Sequence, residues 1–363
     1  MKILFIHGTR GDKFKVLLAP ERHDLRCADF ASPNNLVRLK ILRRCVRKGW
    51  RPDLIIADDH GLFAFYAFVT ATIFRCSYMI RLRGDNWDEE YTKLRSMTGF
   101  GKLRFAVSRW IYFRLGDFAL RRANRILPVS NFLADVIVHR LKISSTRLKV
   151  IPVPIDPSSS AFTPSSVDEK IKLRNELGIP CSNLIVMVTN FRFEKKVAAI
   201  HHFWPQLKEL FRDYPGLRIV TAGSGPLLEK MKEKIMQDGL KDKFILLGQH
   251  QNIPKLMSAA DLFLHLSFQD AFPNVVLEAQ NVGVPVIVNR ACGMVEQVDA
   301  GTGGAIVDSD DPASLVFEIN RILKDPHLAS FYIENARRFI RDKYGLRPVS
   351  REMEQVLNTL KLK

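Results

Sequence analysis

The sequence predicts an α/β protein of two doubly wound domains, on three observations. Short apolar runs alternate with longer segments of helical periodicity along most of the chain, as expected of parallel strands joined by crossover helices. The alternation comes in two series, separated by the Ser/Pro-rich stretch 157–166, which lacks a hydrophobic period and reads as a linker. At 363 residues the chain is long enough for two domains that each bury a core.

The first series, residues 1–156, opens with Lys2–Ile6. Met1–Ile6 is too short for a signal-peptide core and runs into polar residues, so it reads as a strand. It ends at Gly8-Thr-Arg-Gly11, where glycine lets backbone approach a ligand closely. Arg51–Ala57 is the second run and closes at Asp58-Asp59-His60-Gly61. His60 reads as a satisfied loop histidine rather than a catalytic one. The apolar stretch Gly61–Phe74 is too short to span a bilayer and reads as a buried helix. Ser77–Leu82 is the third run, followed by Arg83-Gly-Asp-Asn-Trp87. Arg125–Val129 is the fourth, with Ser130 or Asn131 as N-cap of the helix after it. Lys149–Val153 is the fifth and ends in Pro154-Ile-Asp156.

The second series, residues 167–330, contains five runs: Leu184–Val188, Leu217–Ala222, Phe244–Leu247, Leu262–Leu266 and Pro285–Val288. From Pro326 the chain reads as helical to its end, with a break near Lys343-Tyr-Gly345. Residues 331–363 are assigned to helices that return to the first domain.

Composition sets limits on function. With 47% apolar and 26% charged residues the chain is an ordinary globular one. Its five cysteines are scattered without a CxxC spacing. That argues for a reducing, cytoplasmic setting and against a disulfide frame or zinc site. The net charge of +17 is uneven, with 29 Lys and Arg against 14 Asp and Glu up to Asp156, and 26 against 24 beyond it. Between Arg38 and Arg51, Lys40, Arg43, Arg44, Arg47 and Lys48 recur at helical spacing among Leu39, Ile41, Leu42, Val46 and Trp50. Further arginines cluster from Arg104 to Arg125. A basic face of this kind suits an anionic membrane surface at the inner leaflet. Nucleic acid is not expected as a partner, because no recognition motif or aromatic-interleaved basic ribbon accompanies the charge.

The most informative stretch is Phe268–Val288. It reads as a loop with Asp270 beside Pro273, a helix carrying Glu278, the Gly283-Val-Pro285 break and a β-branched strand. An acid in a helix packed on a sheet is costly to bury without a partner, and a hydroxyl-rich ligand would supply one. The segment resembles the donor-site signature of retaining, nucleotide-sugar-dependent glycosyltransferases of family 4 (glycosyl transferases group 1). Asp270 and Glu278 have the spacing of that family's two acids, with Asp in place of the usual first Glu. The resemblance implies a GT-B fold, in which two Rossmann-like domains face each other across a cleft.

The remaining site assignments follow from the same resemblance. In Thr189-Asn-Phe-Arg-Phe-Glu-Lys-Lys196, Lys195 matches the lysine that grips the donor pyrophosphate. Asn190 occupies the family's arginine position, and Arg192, two residues on, is the candidate substitute. Gly223 and Gly225 of Ala222-Gly-Ser-Gly-Pro226 match a Gly-x-Gly-Pro turn. Phe244–Gly248 and Ile253–Asp261 are expected to help position the base. Asp270 would face the donor sugar, the backbone from Ala271 through Phe272 and Pro273 to Asn274 would hold its hydroxyls, and Glu278 would bind the ribose. Ala291–Glu296 would meet phosphate near Gly293, and Glu296 is counted with the donor-binding residues. Arg83 falls where the family places a catalytic histidine, with Asp85 set to orient it, and Gly8 lies toward the diphosphate. Asp308-Ser-Asp310 reads as a surface turn, and no metal requirement is expected.

The implied reaction moves a sugar from a UDP-, GDP- or similar donor to an acceptor hydroxyl, with retention. Front-face attack is implied, in which the leaving phosphate takes the acceptor's proton and the protein supplies positioning and charge. Domain closure would exclude water. Together with the basic first half, this points to a lipid-linked saccharide or glycolipid acceptor in polysaccharide assembly. The alternatives are a nucleotide-sugar 2-epimerase and a degenerate, non-enzymatic nucleotide-binding protein.

Overall fold

A computed structural model describes every residue except 9–11, 19–21, 31–33, 47–48, 97–98, 157–166, 300 and 362–363. The expected linker and the Thr9–Gly11 part of the first loop therefore lie outside the described residues. The chain divides into two compact units: Met1–Pro154 together with Leu346–Lys363, and Ile155–Gly345.

The first unit is built on β1 (Lys2–His7), β2 (Asp24–Asp29), β3 (Leu54–Ala57), β4 (Ser77–Leu82) and β5 (Arg125–Pro128). Its helices are α1 (Asp12–Lys15), α2 (Asn35–Cys45), α3 (Leu62–Phe74), α4 (Asn86–Ser96), α5 (Gly99–Arg122) and α6 (Asn131–Leu141). The strands lie in the order β2-β1-β3-β4-β5, all parallel. Helices on both faces bury such a sheet, which is why β3 is wholly apolar and buried.

Three sequence expectations change here. β2 was not anticipated, because its Asp-Leu-Arg-Cys-Ala-Asp sequence has no apolar run; as the edge strand it needs none. Lys149–Val153 is not a regular strand. Lys149 and Ile151 donate to the carbonyls of Ile126 and Pro128 at 3.0 and 2.9 Å, but Pro152 and Pro154 lack the N–H that would extend a ladder. The basic helix stops at Cys45 and does not reach Arg51. Gly49 takes φ +71°, and Trp50 turns inward, its indole donating to Asp24 at 2.6 Å beneath the Arg26 guanidinium. Arg47 and Lys48 lie outside the described residues.

The second unit holds β6 (Asn183–Val188), β7 (Leu217–Ala222), β8 (Phe244–Gly248), β9 (Leu262–His265), β10 (Val286–Asn289) and β11 (Ala305–Val307). Around them are α7 (Val167–Glu176), α8 (Glu194–His202), α9 (Trp204–Asp213), α10 (Leu228–Gln237), α11 (Ile253–Ser258), α12 (Asn274–Val282), α13 (Ala313–Lys324) and α14 (Pro326–Tyr344). The sheet is parallel, in the order β11-β10-β9-β6-β7-β8. Read from β8, that is the strand order of a Rossmann sheet. Apolar cores cover both faces. The three-residue β11 was too short to register in the sequence.

The last two helices part company at Gly345. α14 stays with the second unit and buries Tyr332, Ala336, Ile340 and Tyr344. The last helix, α15 (Leu346–Lys361), belongs to the first unit. Its Val349, Met353, Val356 and Leu357 repeat at helical spacing and join Ile3, Phe5, Leu54 and Met79 in one core. Among the described residues no helix is long and apolar enough to cross a membrane.

Candidate functional site

In an open parallel sheet, ligands bind beyond the carboxyl ends of the strands where the strand order reverses. In the second unit that point lies between β6 and β9. The loop after β6 (Thr189–Phe193) and the loop after β9 (Leu266–Pro273) meet there, joined by Phe268 N–H donating to the Lys195 carbonyl at 3.4 Å.

Asp270 stands at this junction with both oxygens engaged. Lys196 Nζ lies 2.5 Å from Oδ1, and His265 Nε2 lies 3.0 Å from Oδ2. The three side chains come from the start of α8, the end of β9 and the following loop, and all are at most 15% exposed. Burial alone would raise the Asp270 pKa, but the bonds and charges of His265 and Lys196 outweigh it and hold the carboxyl well below the usual range. Asp270 is therefore an ionised acid at neutral pH. Sequence reasoning placed weight on Lys195, whose side chain is half-buried. The lysine that meets Asp270 is its neighbour Lys196.

The loop is braced from β10. Asn289, fully buried, accepts from the Ser267 amide at 2.8 Å and donates to the Ser267 carbonyl at 3.0 Å. Gln297 donates to the Pro273 carbonyl at 3.0 Å, and its own carbonyl accepts from Gln280 at 3.1 Å. Between the braces, buried Gln269 has neither amide atom hydrogen-bonded, and the Thr189 hydroxyl is likewise buried without a partner. Buried polar groups are nearly always satisfied, so these two side chains have hydrogen-bonding capacity that the protein itself does not use. Sequence reasoning missed Gln269, Asn289 and Gln297. The available signal was a polar residue closing an apolar strand, as Asn289 closes Val286–Val288.

The glycines of the β7 loop have a packing role. A Cβ on Gly223 would lie 1.7 Å from the Thr189 carbonyl oxygen, and one on Gly225 would lie 2.4 Å from the Phe191 carbonyl carbon. Phe191 N–H donates to the Ser224 carbonyl at 3.2 Å, and Leu227 N–H to the Phe191 carbonyl at 2.9 Å. The two loops thus press together backbone to backbone. Asn190 accepts from the Arg192 amide at 3.0 Å, an Asx turn that shapes this loop and leaves Arg192 exposed.

The other expected residues are placed as follows. Phe272 is buried, its ring edge-on to Tyr344 at 5.3 Å, so its side chain packs the interior. Pro273 immediately precedes α12, Asn274 begins it, and Glu278 lies half-buried about one turn along. Gly293 and Glu296 sit in a five-residue 3-10 turn, where the Glu296 carbonyl accepts from the Tyr344 hydroxyl. Asp308 accepts from the Asp310 amide at 3.1 Å and pairs with exposed Arg290 at 3.2 Å, in keeping with a surface turn.

In the first unit the corresponding reversal lies between β1 and β3. Gly8, at the end of β1, has ordinary room around it. Beyond β3, fully buried Asp58 bonds Arg81 at 2.7 Å, and Arg83 Nε lies 3.6 Å from the same oxygen. Asp85 accepts from the Asp88 amide at 3.0 Å and so caps α4. Burial raises its pKa. His60 is buried and bonded to Asp117 at 3.0 Å, and Asp117 also accepts from Trp87 at 2.9 Å. Trp87 and Phe113 flank the imidazole. Gly61, at φ +66°, leaves no room for a Cβ under Tyr112.

Two family models cover most of these two units, leaving out the α15 segment of the first. Residues 4–159 match Glycosyltransferase Family 4, and residues 169–339 match Glycosyl transferases group 1. The chain belongs to the group 1 glycosyltransferases. Similar proteins include the 2-deoxystreptamine glucosyltransferase of Streptomyces kanamyceticus, 26% identical over 66% of this chain and 60% of that protein. Another is the UDP-Gal:alpha-D-GlcNAc-diphosphoundecaprenol alpha-1,3-galactosyltransferase of Escherichia coli, 24% identical over 59% of this chain and 55% of that protein. The chain thus spans little more than half the length of these curated relatives. Among solved structures, Anabaena HepE in complex with UDP-glucose superposes with a TM-score of 0.76 at 21% identity, over 99% of this chain and 100% of that one. The likeness is one of fold, and the fold of this glycosyltransferase is GT-B, two parallel-sheet α/β domains.

Proposed function

We propose that this glycosyltransferase transfers a sugar, with retention, from a nucleoside diphosphate donor to an acceptor hydroxyl. The observation that carries the reading is the ionised Asp270 held by Lys196 and His265 at the point of strand-order reversal in the group 1 unit. Departure of the sugar leaves a diphosphate whose growing charge needs cations nearby. Arg192, on the β6 loop, and Lys195, at the start of α8, are proposed to supply them. Asp270, Gln269 and the backbone of Ala271–Asn274 would hold the sugar hydroxyls, and Glu278 the ribose. Gly223 and Gly225 keep the loop close, and Glu296 and, in the first unit, Gly8 are each proposed as contacts to the donor phosphates. Arg83, beside Asp58, is proposed as the cation nearest the reacting centre in the first unit, with Asp85 shaping its loop. No metal is assigned a role in the transfer.

The acceptor is proposed to be a lipid-linked saccharide or glycolipid at the inner face of an anionic membrane. Support comes from the charge excess before Asp156 and from relatives such as the diphosphoundecaprenol galactosyltransferase. A thermal-shift and hydrolysis panel of UDP-, GDP- and ADP-sugars tests the donor half of the reading. Stabilisation by one nucleotide family, with slow hydrolysis unaffected by a chelator, is expected. Stabilisation without hydrolysis or transfer would favour the degenerate nucleotide-binding protein, silence toward all three would overturn the donor assignment, and conversion of the sugar without transfer would point to an epimerase.

A further inference from the structure

α5 is docked along one side and bare along the other. Inward, Gly116, Ala119 and Leu120 are buried, and Asp117 is turned to His60 and Trp87. Outward, Leu103, Val107, Trp110, Ile111 and Phe118 stand exposed, Trp110 at 64%. Their spacing of four, three, one and seven residues places them on one helical face. Arg104, Arg114, Arg121 and Arg122 are exposed with them. Arg114 lies 5.7 Å from the Trp110 ring and Arg122 3.8 Å from the Phe118 ring. Among the described side chains of α5, the exposed face holds no carboxylate. At 24 residues the helix is about 36 Å long.

We infer that α5 is an interfacial helix that seats in the headgroup–acyl boundary of an anionic bilayer. The proposal deepens the membrane half of the reading above and rests on it. Charge alone would hold the unit at the surface. The apolar stripe needs something more, a layer into which it can sink while the arginines reach phosphate, and the bilayer boundary provides both. A second copy fits less well, because pairing this face with itself would bring arginines together without an acid to meet them. The helix is not apolar enough to cross the membrane, so it lies in the plane of the surface.

The protein carries its own probe. Trp50, Trp87 and Trp204 are at most 6% exposed, which leaves Trp110 as the exposed tryptophan. Vesicles of phosphatidylglycerol with brominated acyl chains are expected to quench and blue-shift the emission, and phosphatidylcholine vesicles to leave it unchanged. Trp110→Phe should abolish the response, and Ile111→Asp should weaken vesicle binding about tenfold. Donor stabilisation, measured on the same samples, should be unchanged in both variants. Co-sedimentation without quenching would overturn insertion, as would a failure to bind anionic vesicles. Concentration-dependent dimerisation that shields Trp110 without lipid would assign the face to a second copy instead. In the wild-type protein, no lipid response with donor binding intact sinks this inference alone; the reverse pattern sinks the donor assignment alone.

Discussion

Two adjacent lysines at the start of α8 have different tasks, and Asp270 shows which is which. Lys196 is tied to that carboxylate, so Lys196→Ala leaves a buried acid with only His265 and should cost about 3 kcal/mol in urea denaturation. Lys195→Ala should leave stability within about 0.5 kcal/mol and remove donor turnover. Equal effects of the two on both readouts would undo the distinction. The pH dependence has a definite sign. Because the folded pKa of Asp270 is depressed, its contribution is fully present above the ordinary aspartate range, about pH 4, and fades as pH falls toward the folded value. The stability gap between wild type and Asp270→Asn should therefore be flat from pH 8 to about pH 5 and shrink below about pH 4. A gap that instead grew toward acid would show that the carboxyl is held protonated. Glycine offers a second contrast. Gly223→Ala drives a Cβ into the Thr189 carbonyl and should cost about 3 kcal/mol or more, whereas Gly239→Ala, with open space at φ +68°, should cost about 1 kcal/mol. Melting temperatures of the pair decide it.

At the scale of single elements, caps and breaks account for where helices begin and end. Ser130 accepts from the Leu133 amide at 3.2 Å and opens α6, as its place after an apolar strand foretold. Asp85 does the same for α4. Asp85→Asn should preserve both stability and turnover, because asparagine caps as well as aspartate, while Asp85→Ala should lose about 1 kcal/mol. A large fall in turnover for Asp85→Asn, with stability unchanged, would restore a charge-dependent role near Arg83. The strands of the second unit were legible because β-branched runs bounded by Gly and Pro have few other readings. β2 and β11 were not, one being a polar edge and the other three residues long. The Lys149–Val153 run misled for a related reason: it is apolar and extended beside β5, and only its prolines deny it a ladder. Within the site, Asp270 and the β6 loop stand out by spacing. The braces stand out less: Asn289 shows only as a polar residue closing an apolar strand, and Gln297, an amide that holds a loop, carries no local signature.

At the scale of the whole molecule, the discontinuous first unit matters most. Its core draws on both ends of the chain, with Val349, Met353, Val356 and Leu357 against Ile3 and Phe5. Ending the chain after Gly345 would uncover that core. The truncated protein is expected to lose the cooperative transition of the first unit, while the continuous Ile155–Gly345 unit still melts as a body. Calorimetry of the two chains would show it, and a truncated protein with both transitions intact would remove α15 from the account. The net charge belongs to this scale too: no single helix explains it, and it is legible from composition alone.

The same arrangement orders events on the ribosome. Residues 155–345 emerge as an unbroken piece and have every strand they need. The amino-terminal unit, though synthesised first, lacks α15 until Leu346–Lys361 has been made. At 5–20 residues per second the delay is about 10 to 40 s, during which the apolar face lacks the part of its cover that α15 supplies. The order of folding expected along this chain is the reverse of its order of synthesis.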